Sequence, residues 1–155
     1  ILGGGVRSRL YQELVVRQGI AQSVSAWYRG TALDPTSFSV GGTPRAPASL
    51  TELEAAIDAE IDRIAKEGIG EAELQRAKDR LVRNMIYARD SQSTMARIFG
   101  TTLATGGTVD DVLEWPDRIH SVSAEAVREA AVRYLTKAAT TAYLLPPSTD
   151  AETEE

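Results

Sequence analysis

The sequence predicts an α+β domain in which an antiparallel sheet carries helices packed on one face. Two β-like runs lie near the N-terminus, amphipathic helical repeats fill the middle, and one more strand-like run lies near the C-terminus. Of the 155 residues, 43% are hydrophobic and 25% are charged, a balance typical of one globular domain able to bury a core. We therefore expect a single folded domain.

The N-terminal third predicts one helix followed by a strand pair. Apolar residues recur on one helical stripe over residues 6–17, with Ser8 as a candidate cap and Gly19 as a stop. Residues 23–29 and 37–41 have β-like composition, and an Asp-Pro turn signal lies between them. We interpret these two runs as antiparallel neighbours.

A long amphipathic helix follows, capped by Ser49 or Thr51. Its acidic residues, including Glu60, fall largely on the side opposite to the apolar stripe, so one face is predicted to be buried and the other solvated. The stripe consists of Leu50, Leu53, Ile57, Ile61 and Ile64.

Four further helices and a strand complete the predicted fold. A helix restarts at Glu71, and another spans residues 91–104. Thr108 caps a short helix that Pro116 bends or restarts, and Ser123 caps the last helix. Residues 140–145 are predicted to form the final strand.

The expected domain spans residues 1–147, and residues 148–155 are expected to form a disordered acidic tail, because they hold no large apolar side chain. The first residues have neither a basic leader nor an initiating Met, which suggests a cut inside a longer protein. We expect no membrane partner, because no apolar run reaches the roughly 18 residues that a membrane span needs.

Charge and cysteine content narrow the functional classes. Residues 1–50 carry five Arg against two acidic residues, whereas the remainder carries twelve Lys/Arg against twenty Asp/Glu. Phosphate binding needs clustered cations, so nucleic acid is not an expected partner. The absence of cysteine excludes a disulfide framework and a thiol nucleophile but leaves the cellular compartment open.

The order of motifs resembles the insulinase-type (pitrilysin-type) zinc peptidases, specifically the inactive C-terminal domain of a bacterial member. The resemblance rests on glycines, a Ser-Arg-Leu sequence and a strand at fixed spacing, and on the starts of two later helices. These segments are residues 2–14, 19–26, 70–78 and 121–127.

The resemblance implies two similar halves that enclose a chamber, one of which holds zinc through a His-x-x-Glu-His motif and a distal Glu. This chain contains one histidine, His120, whereas catalytic zinc needs about three protein ligands. We therefore assign no catalytic, cofactor-binding or metal-binding residue here. Zinc is expected in the missing half or in a partner subunit.

In active relatives the opposite half supplies an Arg and, seven residues later, a Tyr that hold the substrate and stabilise charge on the attacked carbonyl. Those positions here are Val15 and Gln22. Val15 has no donor, and Gln22 lacks the reach and acidity of a phenol. The substitution therefore removes the family's usual contribution from this half.

Two explanations follow from the resemblance. The parent chain carries zinc in its N-terminal half and pairs with a homologous subunit as a homo- or heterodimer, or the parent has lost catalysis and serves as a scaffold or interaction subunit. We favour the first, in which this domain closes a proteolytic chamber and helps to bind peptide substrate. A third explanation is an unrelated α+β binding domain.

The resemblance also implies a strand and a helix before the glycines. A chain that lacks them has either a partner in the gap or an exposed sheet edge.

Several residues allow a functional and a structural interpretation. Residues 3–5 could cradle a phosphate, but turn glycines are favoured because no Gly-Lys-Ser/Thr sequence follows. Arg7 and Arg9 could face an acidic partner, but a solvated surface pair is favoured. Of Trp27 and Tyr28, one ring is expected in the core and the other outside, where it could meet an extended peptide.

Overall fold

The computed structural model describes residues 1–135 and 139–145 and confirms the predicted α+β fold class. Strand β1 (Ala21–Tyr28) pairs with β2 (Phe38–Pro44) in an antiparallel two-stranded sheet. The register pairs Ala26 with Val40, and an irregularity lies between Ala21 and Ser23. The predicted strand pair is therefore correct, with boundaries shifted by a few residues.

Helices make up most of the rest of the described chain. A π-helical segment (Tyr11–Arg17) precedes β1. The helices after β2 are α1 (Leu50–Glu67), α2 (Glu71–Ala88), α3 (Gln92–Ala104), α4 (Val109–Leu113), α5 (Trp115–Ser121) and α6 (Ala124–Tyr134). Ser49, Thr108 and Ser123 cap α1, α4 and α6 as predicted.

The first helix differs from its prediction. The helix begins near Arg9, directly after Ser8, and its wide turns include the bond from the Gln18 amide to the Glu13 carbonyl at 2.8 Å. Ser8 does not cap it: the Ser8 carbonyl accepts from Gln12, while its buried hydroxyl has no partner among the described residues. The first amides of the helix are satisfied elsewhere, because the Arg9 amide donates to the Ile1 carbonyl and the Leu10 amide donates to the Leu2 carbonyl.

One hydrophobic core joins the N-terminal segment, the sheet, α1 and α6. Leu10 and Leu14 of the helical N-terminal segment are fully buried at its centre. Burying such a side chain contributes roughly 1.5–3 kcal/mol. The core consists of Leu2, Leu10, Leu14, Ala21, Val24, Leu53, Ile64 and Ala131.

The apolar stripe of α1 is only partly covered. Leu53 and Ile64 are buried, whereas Leu50, Ile57 and Ile61 remain half-buried. The prediction of a buried face is therefore correct at its two core positions and incomplete at the other three.

Glu60 corrects the prediction of a solvated acidic face on α1. Its side chain is buried, and its carboxylate contacts Arg63 at 2.8 Å. The π-helical segment packs on this part of α1, so Arg63 also lies 4.0 Å from Glu13. Burial raises the pKa of Glu60 despite the nearby Arg63.

The predicted strand over residues 140–145 is not formed, because no described strand lies beside it to complete a ladder. Instead, the Thr141 hydroxyl donates to Glu54 of α1 at 2.7 Å, and the Tyr143 hydroxyl donates to the same carboxylate. The predicted tail at residues 148–155 lies outside the described residues, and the domain boundary at residue 147 remains a prediction.

The capping box of α1 gives a direct test of how this helix begins. The Ser49 hydroxyl accepts from the Glu52 amide at 3.2 Å, and the Glu52 carboxylate accepts from the Ser49 amide at 2.7 Å. We expect Ser49→Ala to lower the free energy of unfolding in urea by about 1 kcal/mol. Thr51→Ala removes an exposed hydroxyl two residues further along the chain and should change the free energy of unfolding by about 0.5 kcal/mol or less. Equal effects would contradict a capping role.

Candidate functional site

The Gly-rich segment packs its backbone directly against β1. The Ala26 amide donates to the Gly3 carbonyl at 3.3 Å, so Gly3 satisfies one backbone group on the outer edge of β1. A Cβ on Gly3 would lie 2.2 Å from the Ala26 nitrogen, so any residue other than glycine would clash with the backbone of β1. Gly5 has φ +112°, which L side chains rarely adopt. Gly3 therefore allows the close approach to β1, and Gly5 allows the turn.

Two arginines connect this segment to α2. Arg9 donates three hydrogen bonds to Glu73, at 2.8, 2.9 and 3.2 Å, and Arg80 donates to the Gly4 carbonyl. The prediction of Arg9 as a solvated surface residue was wrong, because its guanidinium is paired and partly buried. Arg7 is exposed, as predicted.

The Arg9–Glu73 contact shapes the electrostatics of this side of the domain. The hydrogen bonds from Arg9 lower the pKa of Glu73, and burial opposes that effect. Sequence reasoning missed Glu73 and Arg80, because both lie on the polar side of an amphipathic helix and resemble solvated residues.

The sheet has a polar face directed away from the core. We call it the polar sheet face, and it consists of Ser23, Ser25, Trp27, Ser39, Gly41 and Thr43. Trp27 lies across the neighbouring strand, where its ring would be 3.3 Å from a Cβ on Gly41. The face combines four hydroxyls with one aromatic ring, an arrangement able to bind a peptide but without a nucleophile–base pair.

The expectation for the two adjacent aromatic residues was half right. Trp27 is 50% exposed on the outer face, as one of the two was predicted to be. Tyr28 points to the other side of the sheet yet is 63% exposed, because it lies at the end of β1 beside Gly30. Neither ring enters the core.

The two positions where the resemblance implies a catalytic Arg and Tyr occupy different environments. Val15, in the π-helical segment, packs against the hydrophobic core. Gln22, at the start of β1, is exposed. The structure does not bring these two residues into a polar cluster with His120, whose carbonyl accepts from Lys78 at 2.8 Å on the α2–α5 side.

The described residues do not fit a zinc ion. Within residues 1–135 and 139–145, no group of three or more His, Cys, Asp or Glu side chains is placed to hold a metal.

Of the helices in this part of the chain, none combines the length and apolar character that a membrane crossing needs.

A groove of about 1720 Å³ opens beside β2. Its floor is the half-buried part of the α1 stripe, one wall is β2, and the other is the chain after α6. We call it the β2 groove. Its walls are more apolar than polar, and Ile57, Ile61 and Val40 are among its residues.

The close approach of Gly3 to β1 predicts a sharp intolerance of side chains. We expect Gly3→Ala to lower the free energy of unfolding by about 3 kcal/mol or more, because the added methyl meets backbone rather than a movable side chain. The matched control is Gly100→Ala, in the interior of α3 with nothing within 4 Å, which should stabilise by about 0.5–1 kcal/mol. Urea unfolding of both variants tests this prediction. An unchanged free energy of unfolding in Gly3→Ala would refute the contact.

The Arg9–Glu73 pair predicts a dependence of stability on pH. Because the folded-state pKa of Glu73 lies below 4.5, its contribution is present above that pH and is lost as pH falls through the folded value. Glu73→Gln should cost about 1 kcal/mol at neutral pH and progressively less in acid. Glu71→Gln, in the same turn, controls for charge at the helix end. If the difference in the free energy of unfolding between the two variants did not change with pH, the Arg9–Glu73 pair would not be the source of the pH dependence.

Comparison with known proteins identifies the family. Residues 1–81 match the family described as the peptidase M16 inactive domain. An uncharacterized zinc protease of Streptomyces coelicolor is 34% identical over 133 residues, which are 84% of this chain and 28% of that protein. One from Rickettsia bellii is 27% identical over 94% of this chain and 35% of its own length. The chain thus spans about a third or less of these relatives.

Solved structures show the same fold. A protease from Helicobacter pylori superposes with a TM-score of 0.81 at 21% identity, over 88% of this chain and 32% of that one. The inactive peptidase domain assigned to a zinc protease of Bordetella parapertussis gives a TM-score of 0.76 at 20% identity, over 88% of this chain and 72% of that domain. With the matched family covering the Gly-rich segment, the sheet, α1 and the start of α2, this chain belongs to the peptidase M16 inactive domain family.

Proposed function

We propose that this domain is the non-catalytic C-terminal half of a zinc metallopeptidase, where it closes the proteolytic chamber and helps to bind peptide substrate. One observation carries the proposal: the chain belongs to an inactive-domain family and spans 28–35% of zinc proteases that it resembles. In this proposal the zinc-bearing half is supplied by the parent polypeptide or a homologous subunit.

Exposed apolar surface on α2 to α4 supports a partner on that side. In the layer formed by α2, α3 and α4 the described side chains are mostly solvated, and α3 buries none of its residues. Single exposed apolar residues are ordinary, but several on consecutive helices suit a surface that a second domain covers. They are Leu81, Ile86, Tyr87, Leu103, Val109 and Leu113.

The polar sheet face supports the substrate-binding part of the proposal. Its hydroxyls can donate and accept hydrogen bonds with an extended peptide, and Trp27 offers an aromatic surface at its centre. Because the described residues hold no metal-ligand group and this face has no nucleophile–base pair, its proposed contribution is to binding and shape rather than to bond cleavage.

The alternative is a peptidase-like scaffold or interaction subunit without enzymatic activity. Val15 and Gln22 favour it, because neither can replace an Arg or a Tyr at a reacting carbonyl. The two proposals differ in whether the parent polypeptide carries zinc.

The first experiment measures zinc and proteolysis together. The full-length parent is analysed for bound zinc and assayed on a quenched peptide library, alone and with a homologous subunit encoded beside it. Zinc in the parent and chelator-sensitive cleavage, with or without the homologue, would support the closing-half proposal. Absence of zinc and cleavage in both samples would favour the scaffold, and chelator-sensitive cleavage by this chain alone would overturn both.

If the parent or its complex is active, Trp27→Ala tests the polar sheet face. We expect KM for peptides to rise roughly threefold with little change in kcat, because an aromatic surface that holds substrate is lost. Tyr28→Ala removes the adjacent exposed ring on the opposite side of the sheet and should leave KM unchanged. The same KM change in both variants would contradict peptide binding at this face.

A further inference from the structure

The Trp27 ring lies on the neighbouring strand within the polar sheet face. Trp27 pairs with Ser39 in the register, and Gly41 is its diagonal neighbour on β2. A Cβ on Gly41 would lie 3.3 Å and 3.4 Å from two carbons of the six-membered ring, Cη2 and Cζ3. The ring therefore packs on the glycine backbone, and the residue remains 50% exposed.

Short polar side chains surround this ring. Apart from Gly41, the other members of the polar sheet face carry hydroxyl groups and are no longer than threonine, and none of the six residues is charged. Trp27 is consequently the largest side chain on the face. An extended peptide can place one side chain on the ring while its backbone groups bond to the hydroxyls beside it.

A cation follows the ring on the same side of β1. The Arg29 amide donates to the Ser37 carbonyl, so the pairing continues one residue beyond β1. By the alternation of a strand, Arg29 follows Trp27 on the polar side, roughly 7 Å further along. Its side chain is exposed, and none of the ion pairs within residues 1–135 and 139–145 includes it. The charge of Arg29 is therefore open to a ligand that lies on Trp27.

This arrangement disfavours a basic ligand. A tryptophan ring also attracts cations, but a cation on Trp27 would be repelled by Arg29. The carboxylate nearest along the chain, Asp34, lies in the loop between the strands and forms no ion pair with Arg29 among the described residues. An uncharged aromatic side chain stacks on the ring without this repulsion.

We propose that the polar sheet face recognises an acidic peptide in which an aromatic side chain stacks on Trp27 and a carboxylate two residues away pairs with Arg29. The inference rests on the proposed function, because it names the class of substrate that this face helps to bind. The spacing carries it: side chains on one side of an extended peptide repeat every two residues, which is the separation of Trp27 and Arg29. These two residues are thereby assigned as determinants of specificity.

Binding of three labelled peptides to the full-length parent tests the preference. Their central sequences are Glu-Ser-Phe-Ser-Glu, Glu-Ser-Leu-Ser-Glu and Lys-Ser-Phe-Ser-Lys, which are symmetric so that either direction of the peptide along β1 is equivalent. Fluorescence anisotropy gives each Kd, with a chelator present to prevent zinc-dependent cleavage. At low salt, we expect the acidic Phe peptide to bind roughly threefold more tightly than each of the other two.

Two results of this comparison would overturn the proposal. The first is an equal Kd for the acidic Phe and acidic Leu peptides, because stacking on Trp27 would then contribute nothing. The second is binding of the basic Phe peptide as tight as that of the acidic Phe peptide, because Arg29 would then not select charge. High salt should reduce the preference for acidic over basic peptide and leave the preference for Phe over Leu.

Variants of the parent assign each preference to its residue. Trp27→Leu should abolish the preference for Phe over Leu, whereas Trp27→Phe keeps a ring and should retain most of it. Gly41→Val keeps Trp27 but places a branched side chain under the ring, in a strand that favours such residues, and should act like Trp27→Leu. Arg29→Gln should abolish the preference for acidic over basic peptide alone. A preference for Phe that persists in Trp27→Leu would refute the assignment.

Two matched controls exclude general effects. Tyr28→Leu removes the exposed ring on the opposite side of the sheet, and Arg45→Gln removes an exposed arginine just beyond β2. Both should leave the three Kd values unchanged, and Tm confirms that each variant is folded. The same losses in these controls as in Trp27→Leu and Arg29→Gln would contradict recognition by the polar sheet face.

The outcomes separate this inference from the proposed function. Chelator-sensitive cleavage by the parent without a preference among the three peptides would overturn the inference and leave the proposed function standing. A preference that depends on Trp27 and Arg29 in a parent without zinc or cleavage would support the inference and favour the scaffold. Failure of the parent to bind any of the three peptides would overturn the inference.

Discussion

The approach of Gly3 to Ala26 is the contact on which the N-terminal half of the fold depends. It satisfies the outward amide of Ala26 on β1 and turns the chain so that Leu10 and Leu14 enter the core. The same turn directs Arg9 to Glu73 and the Gly4 carbonyl to Arg80, which connects α2 to the segment. A side chain at position 3 would therefore disturb the sheet edge, the core and the docking of α2 together.

The structure has a compact part and an open part. The sheet, the π-helical segment, α1 and α6 share a core, whereas α2 to α5 form a layer with few buried side chains. On the core side of the sheet, the stripe of α1 is also partly open, because Leu50, Ile57 and Ile61 are only half-buried. Under the proposed function this open apolar surface would be covered by other polypeptide, because apolar area stabilises a fold only when it is removed from water.

Glu60 and Glu73 show how tertiary context gives two similar carboxylates opposite behaviour. Both fall on helical positions that the sequence pattern assigns to solvent. Glu73 meets a fixed guanidinium, which lowers its pKa, whereas Glu60 is covered by the π-helical segment, and burial raises its pKa. The local pattern could not distinguish them, because the distinction comes from elements that are 47 to 64 residues distant in the chain.

The sequence by itself determined the fold class, the caps at Ser49, Thr108 and Ser123, the antiparallel strand pair and the family resemblance. These features are encoded locally, in hydroxyl residues at helix starts, apolar spacing and glycines at fixed positions. Tertiary structure decided the pairing of Arg9, the exposure of Tyr28, the burial of Glu60 and the failure of residues 140–145 to form a strand. Each of these depends on which distant element lies alongside, and a strand in particular forms only where a neighbour satisfies its backbone.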